Sequence, residues 1–255
     1  MKTYDNLHEA YLGSLADVYD NPDHIAEPRG QRTREKLDYQ FRVRYPTIEA
    51  IITADEARND VIQRYTDKET ELYDSCTNKA EDFGKASKFW LSLANPDGTV
   101  NSAYGYLIWK KKSHGNPNFE DNRVRANGEE SCAMRTPWEW AKLSLQKDKD
   151  TRQAILRFSL PEHSFVGNKD FTCTLGGIFL IRENKLNLTI SMRSNDLTLG
   201  LVYDLPWFIS LIYKMRDELK ETYPDLEIGT YTHQVHSLHI YDRDQEKILK
   251  MLGRT

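Results

Sequence analysis

Lys185-Leu186-Asn187-Leu188-Thr189-Ile190-Ser191-Met192 alternates polar and apolar side chains without a break, a period of two that makes the segment a strand with one buried face. Thirteen positions beyond it, Leu205-Pro206-Trp207-Phe208-Ile209-Ser210-Leu211-Ile212-Tyr213 is apolar enough for a helix in the core. Arg193, Ser194, Asn195 and Asp196 stand between the two, followed by Leu197, Thr198, Leu199 and Gly200, with Asp204 at the head of the helix. A strand that runs into a core helix places its intervening polar groups at a strand end, where clefts form. An arginine there suits a phosphate, because its planar fork makes paired, charge-assisted bonds. The same four polar residues also fit a capped helix start with a surface ion pair, and the spacing accommodates both readings.

The rest of the chain reads as a mixture. Strands are predicted at Leu37–Val43, Ile155–Phe158, Thr172–Ile181 and Ser237–Tyr241, and helices at 7–15, 47–75, 86–93, 138–145 and 205–220. Asn95-Pro96-Asp97-Gly98 is a turn, and 113–133 reads as a polar loop. Strands and helices without strict βαβ alternation predict an α+β (mixed α/β) fold with one sheet flanked by helices, and residues 1–255 read as a single domain. At 39% hydrophobic and 11% aromatic content, such a chain can bury a sizeable core.

A formal net charge of −4 leaves no broad basic footprint, so a polynucleotide partner is not expected. The dense basic run Lys110-Lys111-Lys112-Ser113-His114-Gly115-Asn116 reads as a solvated loop. No stretch is apolar enough for a membrane span, and Met1-Lys2-Thr3-Tyr4-Asp5 lacks a signal-peptide core; the expectation is a cytoplasmic protein with no membrane partner. Cys76, Cys132 and Cys173 form neither an even disulfide framework nor a close metal-binding pair, so no metal is expected. Taken singly, Cys173 fits an inert core thiol, Trp90 and Tyr104 fit core aromatics, His239 and Tyr241 fit strand packing, and Glu69 or Glu71 fits a solvated helix face.

Together these residues resemble the thymidylate synthase superfamily. The stretch Met192–Gly200 with Asp204 resembles its nucleotide-binding signature. Asp170-Phe171-Thr172-Cys173-Thr174 looks like its nucleophile strand, and is more similar to the bacteriophage (deoxy)cytidylate 5-hydroxymethylases than to the synthases, which follow the nucleophile with histidine. Ser237-Leu238-His239-Ile240-Tyr241 resembles the strand that holds the sugar hydroxyl, and Trp90 and Tyr104 recur at the family's spacing of fourteen residues. The likeness covers roughly residues 60–245. It departs at Asp150-Thr151-Arg152-Gln153, where the family has a second arginine, and at the tail Gly253-Arg254-Thr255, where it has apolar residues that close over folate.

The resemblance implies a thymidylate synthase-like fold, a homodimer joined sheet to sheet, a pyrimidine nucleoside monophosphate as substrate and 5,10-methylenetetrahydrofolate as cofactor. It implies catalytic roles for Cys173, Glu69 (with Glu71 as the near alternative), Tyr104 and Asp196. Nucleotide binding falls to Arg29 (alternatively Arg32), Arg193, Ser194, Asn195, Asp204, His239 and Tyr241, with Arg152 reaching over from a second subunit. Folate binding falls to Trp90, Asp196 and Gly200. The arginine near Cys173 is expected to lower the thiol's pKa. Where the family members that act on uracil carry asparagine, Asp204 offers a carboxylate, an acceptor that suits the amino group of cytosine. The reading is a cytidylate (CMP or dCMP) 5-hydroxymethylase, with a pyrimidine nucleotide C5-methylase or an idle nucleotide-binding module as alternatives.

Overall fold

The computed structural model describes residues 1–112 and 135–254; Cys132 and the expected loop at 113–133 lie outside the described residues. The chain opens with strand β1 (Lys2–Tyr4) and helix α1 (Leu7–Asp20), capped by Asn6, whose side chain accepts the Glu9 amide at 2.9 Å. Strands β2 (His24–Ala26) and β3 (Thr33–Val43) follow, then helices α2 (Glu56–Asp74), α3 (Ala80–Ala86), α4 (Phe89–Leu93), α5 (Tyr104–Trp109) and α6 (Pro137–Lys147). The second half holds β4 (Ile155–Arg157), β5 (Thr174–Arg182), β6 (Lys185–Met192), β7 (Asn195–Asp196), α7 (Val202–Leu219), β8 (Glu227–Tyr241) and α8 (Gln245–Met251).

All the strands join one mixed sheet in the order β1-β3-β8-β6-β5-β4, with β2 added beside β3 and β7 beside β8. β8 is its axis, antiparallel to β3 and parallel to β6 and β7. One face is apolar: Leu186, Leu188, Ile190 and Met192 of β6 are buried with Phe179 and Ile181 of β5, Tyr231 and Val235 of β8 and Phe41 and Val43 of β3. Helices α7 and α1 pack on that face, and Val202–Ile212 of α7 is buried throughout. Gln40, Arg42, Asn187, Thr189, Ile178 and Leu180 sit half-buried on the opposite face of the same strands.

The α+β architecture agrees with the sequence pattern, and several boundaries differ: β3 starts at Thr33 rather than Leu37, the helix expected over 86–93 is the end of α3 and a separate α4, and three further differences have a local cause. Residues 47–55 are not helical, because Asn59 Oδ1 accepts both the amide and the hydroxyl of Thr53, each at 2.8 Å, and α2 starts only after Asp55 caps the Arg58 amide at 3.1 Å. The last strand begins ten residues earlier than the Ser237–Tyr241 pattern, at Glu227. Its polar His233, Gln234 and His236 break the apolar alternation, and pairing on both sides overrides that local signal. Thr172 and Cys173 precede β5 rather than lying within it, and a bulge between Thr174 and Gly176 bends the strand just past the thiol. Among the described residues, no helix is long and apolar enough to cross a membrane.

Helices α2 and α5 meet at a point of contact that only glycine permits. A Cβ built on Gly105 would lie 1.7 Å from the Tyr73 carbonyl oxygen, which is backbone and has little room to yield. Gly105→Ala is therefore expected to push α5 off α2 and to cost about 3 kcal/mol in urea unfolding. Unchanged stability would show that the two helices do not meet at this distance.

Candidate active site

Arg193 leaves the end of β6 and folds back over the segment before β5. Its Nε donates to the Thr172 carbonyl at 3.1 Å, and its Nη2 donates to the Phe171 carbonyl at 2.6 Å and lies 3.5 Å from Cys173 Sγ. The Arg193 amide also donates to the Cys173 carbonyl at 2.9 Å, and the guanidinium sits 4.9 Å from the centre of the Phe171 ring. A second set of bonds fixes the same segment from below. Asp170 accepts the Ser102 amide at 2.8 Å and its hydroxyl at 2.5 Å, and Thr172 Oγ1 lies 2.9 Å from Nδ1 of the buried His163. The thiol is thus held from both sides, with Tyr104 two residues beyond Ser102.

The expected drop in the thiol's pKa does not occur. Burial pushes Cys173 above the ordinary cysteine range; Arg193 and Arg29 pull it down, Asp204 and Asp170 push it up, and burial wins. The arginine was rightly placed beside the sulfur, but its charge is partly spent on two backbone carbonyls.

Asp204 lies in the first turn of α7 and Glu69 in the middle of α2, 8% and 7% exposed. Burial raises Asp204 to about 7, opposed by a hydrogen bond from Asn195 Nδ2 to Asp204 Oδ2 at 3.2 Å. Burial and then the charge of Asp204 raise Glu69 to about 8, against hydrogen bonds from Tyr65 and Tyr73. The carboxylate expected at Asp204 is therefore protonated for a large part of the time at neutral pH, because the site lacks the solvent that would stabilise its charge. Glu71, the alternative to Glu69, is exposed and points out of this cluster.

Tyr104 caps the cluster: it is buried, stacks on Tyr73 at 5.2 Å between centroids, and both burial and the Asp204 charge raise its hydroxyl above the usual range. Tyr65, Glu69 and Tyr73 recur every four residues, so one face of α2 carries all three; that spacing was present in the sequence and marks the two tyrosines that a reading of Glu69 alone leaves out. Trp90 Nε1 donates to Tyr65 Oη at 3.1 Å, which joins α4 to the cluster. Phe89 and Leu91, its neighbours on α4, are exposed, and Leu91 lies against Gly84 of α3.

Asp196 acts as a cap, its Oδ1 accepting the Thr198 amide at 2.6 Å and the Leu199 amide at 3.3 Å, as the capped-start reading of the motif has it. The turn it caps, Leu197–Leu201, is a wide π-turn that contains Gly200 and leads into Asp204. His239 pairs in register with Asp196 across β8 and β7, and its ring stands perpendicular to Tyr241 at 5.4 Å; Ser194 sits half-buried between Arg193 and Asn195. Arg29 lies in the turn Pro28–Gly30, close enough to act on the Cys173 thiol, whereas Arg32 is taken up by Asp242 at 3.0 Å. Arg152 is exposed on the loop before β4, and no contact joins it to these groups among the described residues. No cluster of metal-binding side chains occurs among the described residues.

Residues 9–255 match the family model described as thymidylate synthase. The chain is similar to the deoxycytidylate 5-hydroxymethyltransferase of Enterobacteria phage T6, 28% identical over 228 residues that span 87% of this chain and 80% of that protein. It is also similar to the thymidylate synthase of Fusobacterium nucleatum subsp. nucleatum, 24% identical over 168 residues, 66% of this chain and 52% of that one. Among solved structures, thermostable thymidylate synthase A from Bacillus subtilis has the same fold, with a TM-score of 0.68 at 18% identity over 96% of this chain and 84% of that chain.

Because burial disfavours the thiolate, alkylation of Cys173 by iodoacetamide in the ligand-free protein is expected to be slow at pH 7 and to accelerate as pH rises past the ordinary thiol range. Arg193→Ala removes the main opposing charge and should shift that rise to still higher pH. A rate already at its plateau near pH 7 would contradict the assignment of burial as the dominant effect.

Proposed function

The chain belongs to the thymidylate synthase family, and from that premise we propose that it is a cytidylate 5-hydroxymethylase. The observation that carries the reading is Asp204: a carboxyl, buried, held by Asn195 and grouped with Cys173, Tyr104 and Glu69, where an amide would suit uracil. It is a one-carbon transferase acting on a pyrimidine nucleotide, and the phage relative at 28% identity carries the name deoxycytidylate 5-hydroxymethyltransferase.

Carbon 5 of cytosine is a poor nucleophile. Cys173 first gives its thiol proton to solvent; addition of the resulting thiolate to carbon 6 then makes carbon 5 enamine-like, and the pair of electrons that moves into the ring is stabilised as ring nitrogen 3 takes up a proton. Protonated Asp204 is placed to give that proton; its value of about 7 matches a general acid working near neutral pH. Once ionised, it accepts from both the new N–H and the exocyclic amino group. Arg193, Arg29 and a second subunit's Arg152 bind the phosphate, with Ser194 beside them, and His239 and Tyr241 bind the sugar. Glu69, raised to about 8, works with water and Tyr104 on the proton leaving carbon 5.

The residues present fit a folate. Trp90, joined through Tyr65 to Glu69, offers an aromatic face for a flat ring, and Asp196 and Gly200 lie on the turn that runs to Asp204. When bound, 5,10-methylenetetrahydrofolate would supply carbon 5 with a one-carbon unit at the oxidation level of formaldehyde, with tetrahydrofolate as the leaving group. Water adding to the exocyclic methylene on carbon 5 then gives the hydroxymethyl product, and the cysteine is eliminated from carbon 6. A second copy of the chain covers the half-buried sheet face and brings Arg152 to its neighbour's site.

Protonation also governs base choice. A protonated Asp204 can donate to uracil's carbonyl oxygen and accept from its ring N–H, so it tolerates both bases. An ionised Asp204 sets acceptor against acceptor on uracil throughout, and on cytosine only until ring nitrogen 3 takes up its proton, so the cytosine adduct alone relieves the clash.

The test is the product. Cytidylate incubated with the protein and isotope-labelled 5,10-methylenetetrahydrofolate is expected to yield labelled 5-hydroxymethylcytidylate by mass, and Cys173→Ala is expected to lose tritium release from carbon 5 by about a thousandfold or more while still binding nucleotide. A methylated product would move the assignment to a C5-methylase, and near-normal release by the alanine variant would remove Cys173 as nucleophile.

A further inference from the structure

Resting on the cytidylate reading, we infer that Asn195 is a positioning residue that holds the Asp204 carboxyl through one of its two oxygens and thereby sets the preference between cytosine and uracil. Asn195 is 3% exposed and sits on β7, in register with Leu238 of β8, so its backbone is fixed by the sheet. Its amide nitrogen spans Met192 Sδ at 2.9 Å and Asp204 Oδ2 at 3.2 Å, which takes up both of its N–H groups. Its carbonyl oxygen lies against the turn before α7: a Cβ on Gly200 would come 2.4 Å from Asn195 Oδ1 and 3.5 Å from Asp204 Oδ2. Glycine at 200 is therefore what lets the amide lie flat between strand and helix. With Oδ2 holding the Asn195 N–H, the carboxyl cannot rotate freely, and Oδ1 and the second lone pair of Oδ2 remain for the two contacts to the base.

The charges around Asp204 make this single bond matter. Glu69 and Tyr73 face it from α2, Tyr104 from α5, Cys173 from the segment before β5 and Tyr231 from β8, and every one of them is an acid that the Asp204 charge opposes. The Asn195 N–H is the contact that favours the charged form against burial. Without it, Asp204 keeps its proton to higher pH and accepts uracil over a wider range. Asn195 touches no reacting atom in this scheme; it acts through Asp204.

The experiment is a carbon-13 NMR titration of the Asp204 carboxyl in the full-length protein, run beside competition between cytidylate and uridylate across the same pH range. In Asn195→Ala, and independently in Gly200→Ala, whose added methyl would displace the amide, the carboxyl midpoint is expected to rise by about one unit, tenfold in proton affinity. The pH at which uridylate is rejected should rise with it. In the unmodified protein the Asn195 side-chain amide resonance is expected to titrate with the Asp204 midpoint, a readout independent of whether either variant folds. Midpoints unchanged in folded variants, or an Asn195 amide that ignores the titration, would overturn the inference and leave the proposed activity standing. A wild-type preference for uridylate above the Asp204 midpoint would instead defeat the cytidylate reading and leave the Asn195–Asp204 contact intact.

Discussion

Two carboxyl groups buried within reach of each other's charge, Glu69 from α2 and Asp204 from α7, are the constraint around which the site is built. Burying even one such group is costly unless it keeps its proton or finds a partner. Here both keep protons to unusually high pH, and the partners supplied are neutral: Asn195 for Asp204, Tyr65 and Tyr73 for Glu69. A group whose folded pKa is raised stabilises the fold below its unfolded value and loses that contribution as pH climbs through the folded one. For this pair the loss runs from the ordinary carboxyl range up to about 8, so the cluster is least favourable to the fold where its groups are ionised. The aromatic shell compensates by packing: Tyr104 stacks on Tyr73, and Trp207 lies 4.7 Å from Tyr73 between ring centroids.

The nucleophile is governed by the same exclusion of water. Burial holds Cys173 as a thiol, and Arg193, the nearest cation, spends two of its donors on the carbonyls of Phe171 and Thr172. Those bonds are also what positions the sulfur, since they staple the segment ahead of the β5 bulge. In the proposed reaction the arginine serves the nucleophile's placement and the phosphate with one side chain.

Much of this was legible in the chain. The alternation over Lys185–Met192 located β6, and the polar residues after it did arrive at a strand end beside a core helix. The resemblance brought Cys173, Arg193, Asp204, Tyr104 and Glu69 to one place, as the structure does. Other features had no local signal. The early part of β8 depends on pairing with β6 and, from Tyr231 onward, on partners more than 180 positions away in β3, and α5 is placed by a glycine contact with a carbonyl on another helix. Ionisation was the hardest to read, because a carboxylate and a carboxylic acid are the same letter. Asp204 and Cys173 both departed from expectation in the direction that burial dictates, and burial is a property of the assembled fold.

The central claim is that the Asp204 carboxyl reads the base, and it is tested most directly by competing cytidylate against uridylate for wild-type protein and for Asp204→Asn at a pH above 7. The wild type is expected to prefer cytidylate, and the asparagine variant to shift the ratio of kcat/KM values toward uridylate by about tenfold to a thousandfold. A wild type that prefers uridylate, or a ratio that the substitution leaves unchanged, would contradict the account.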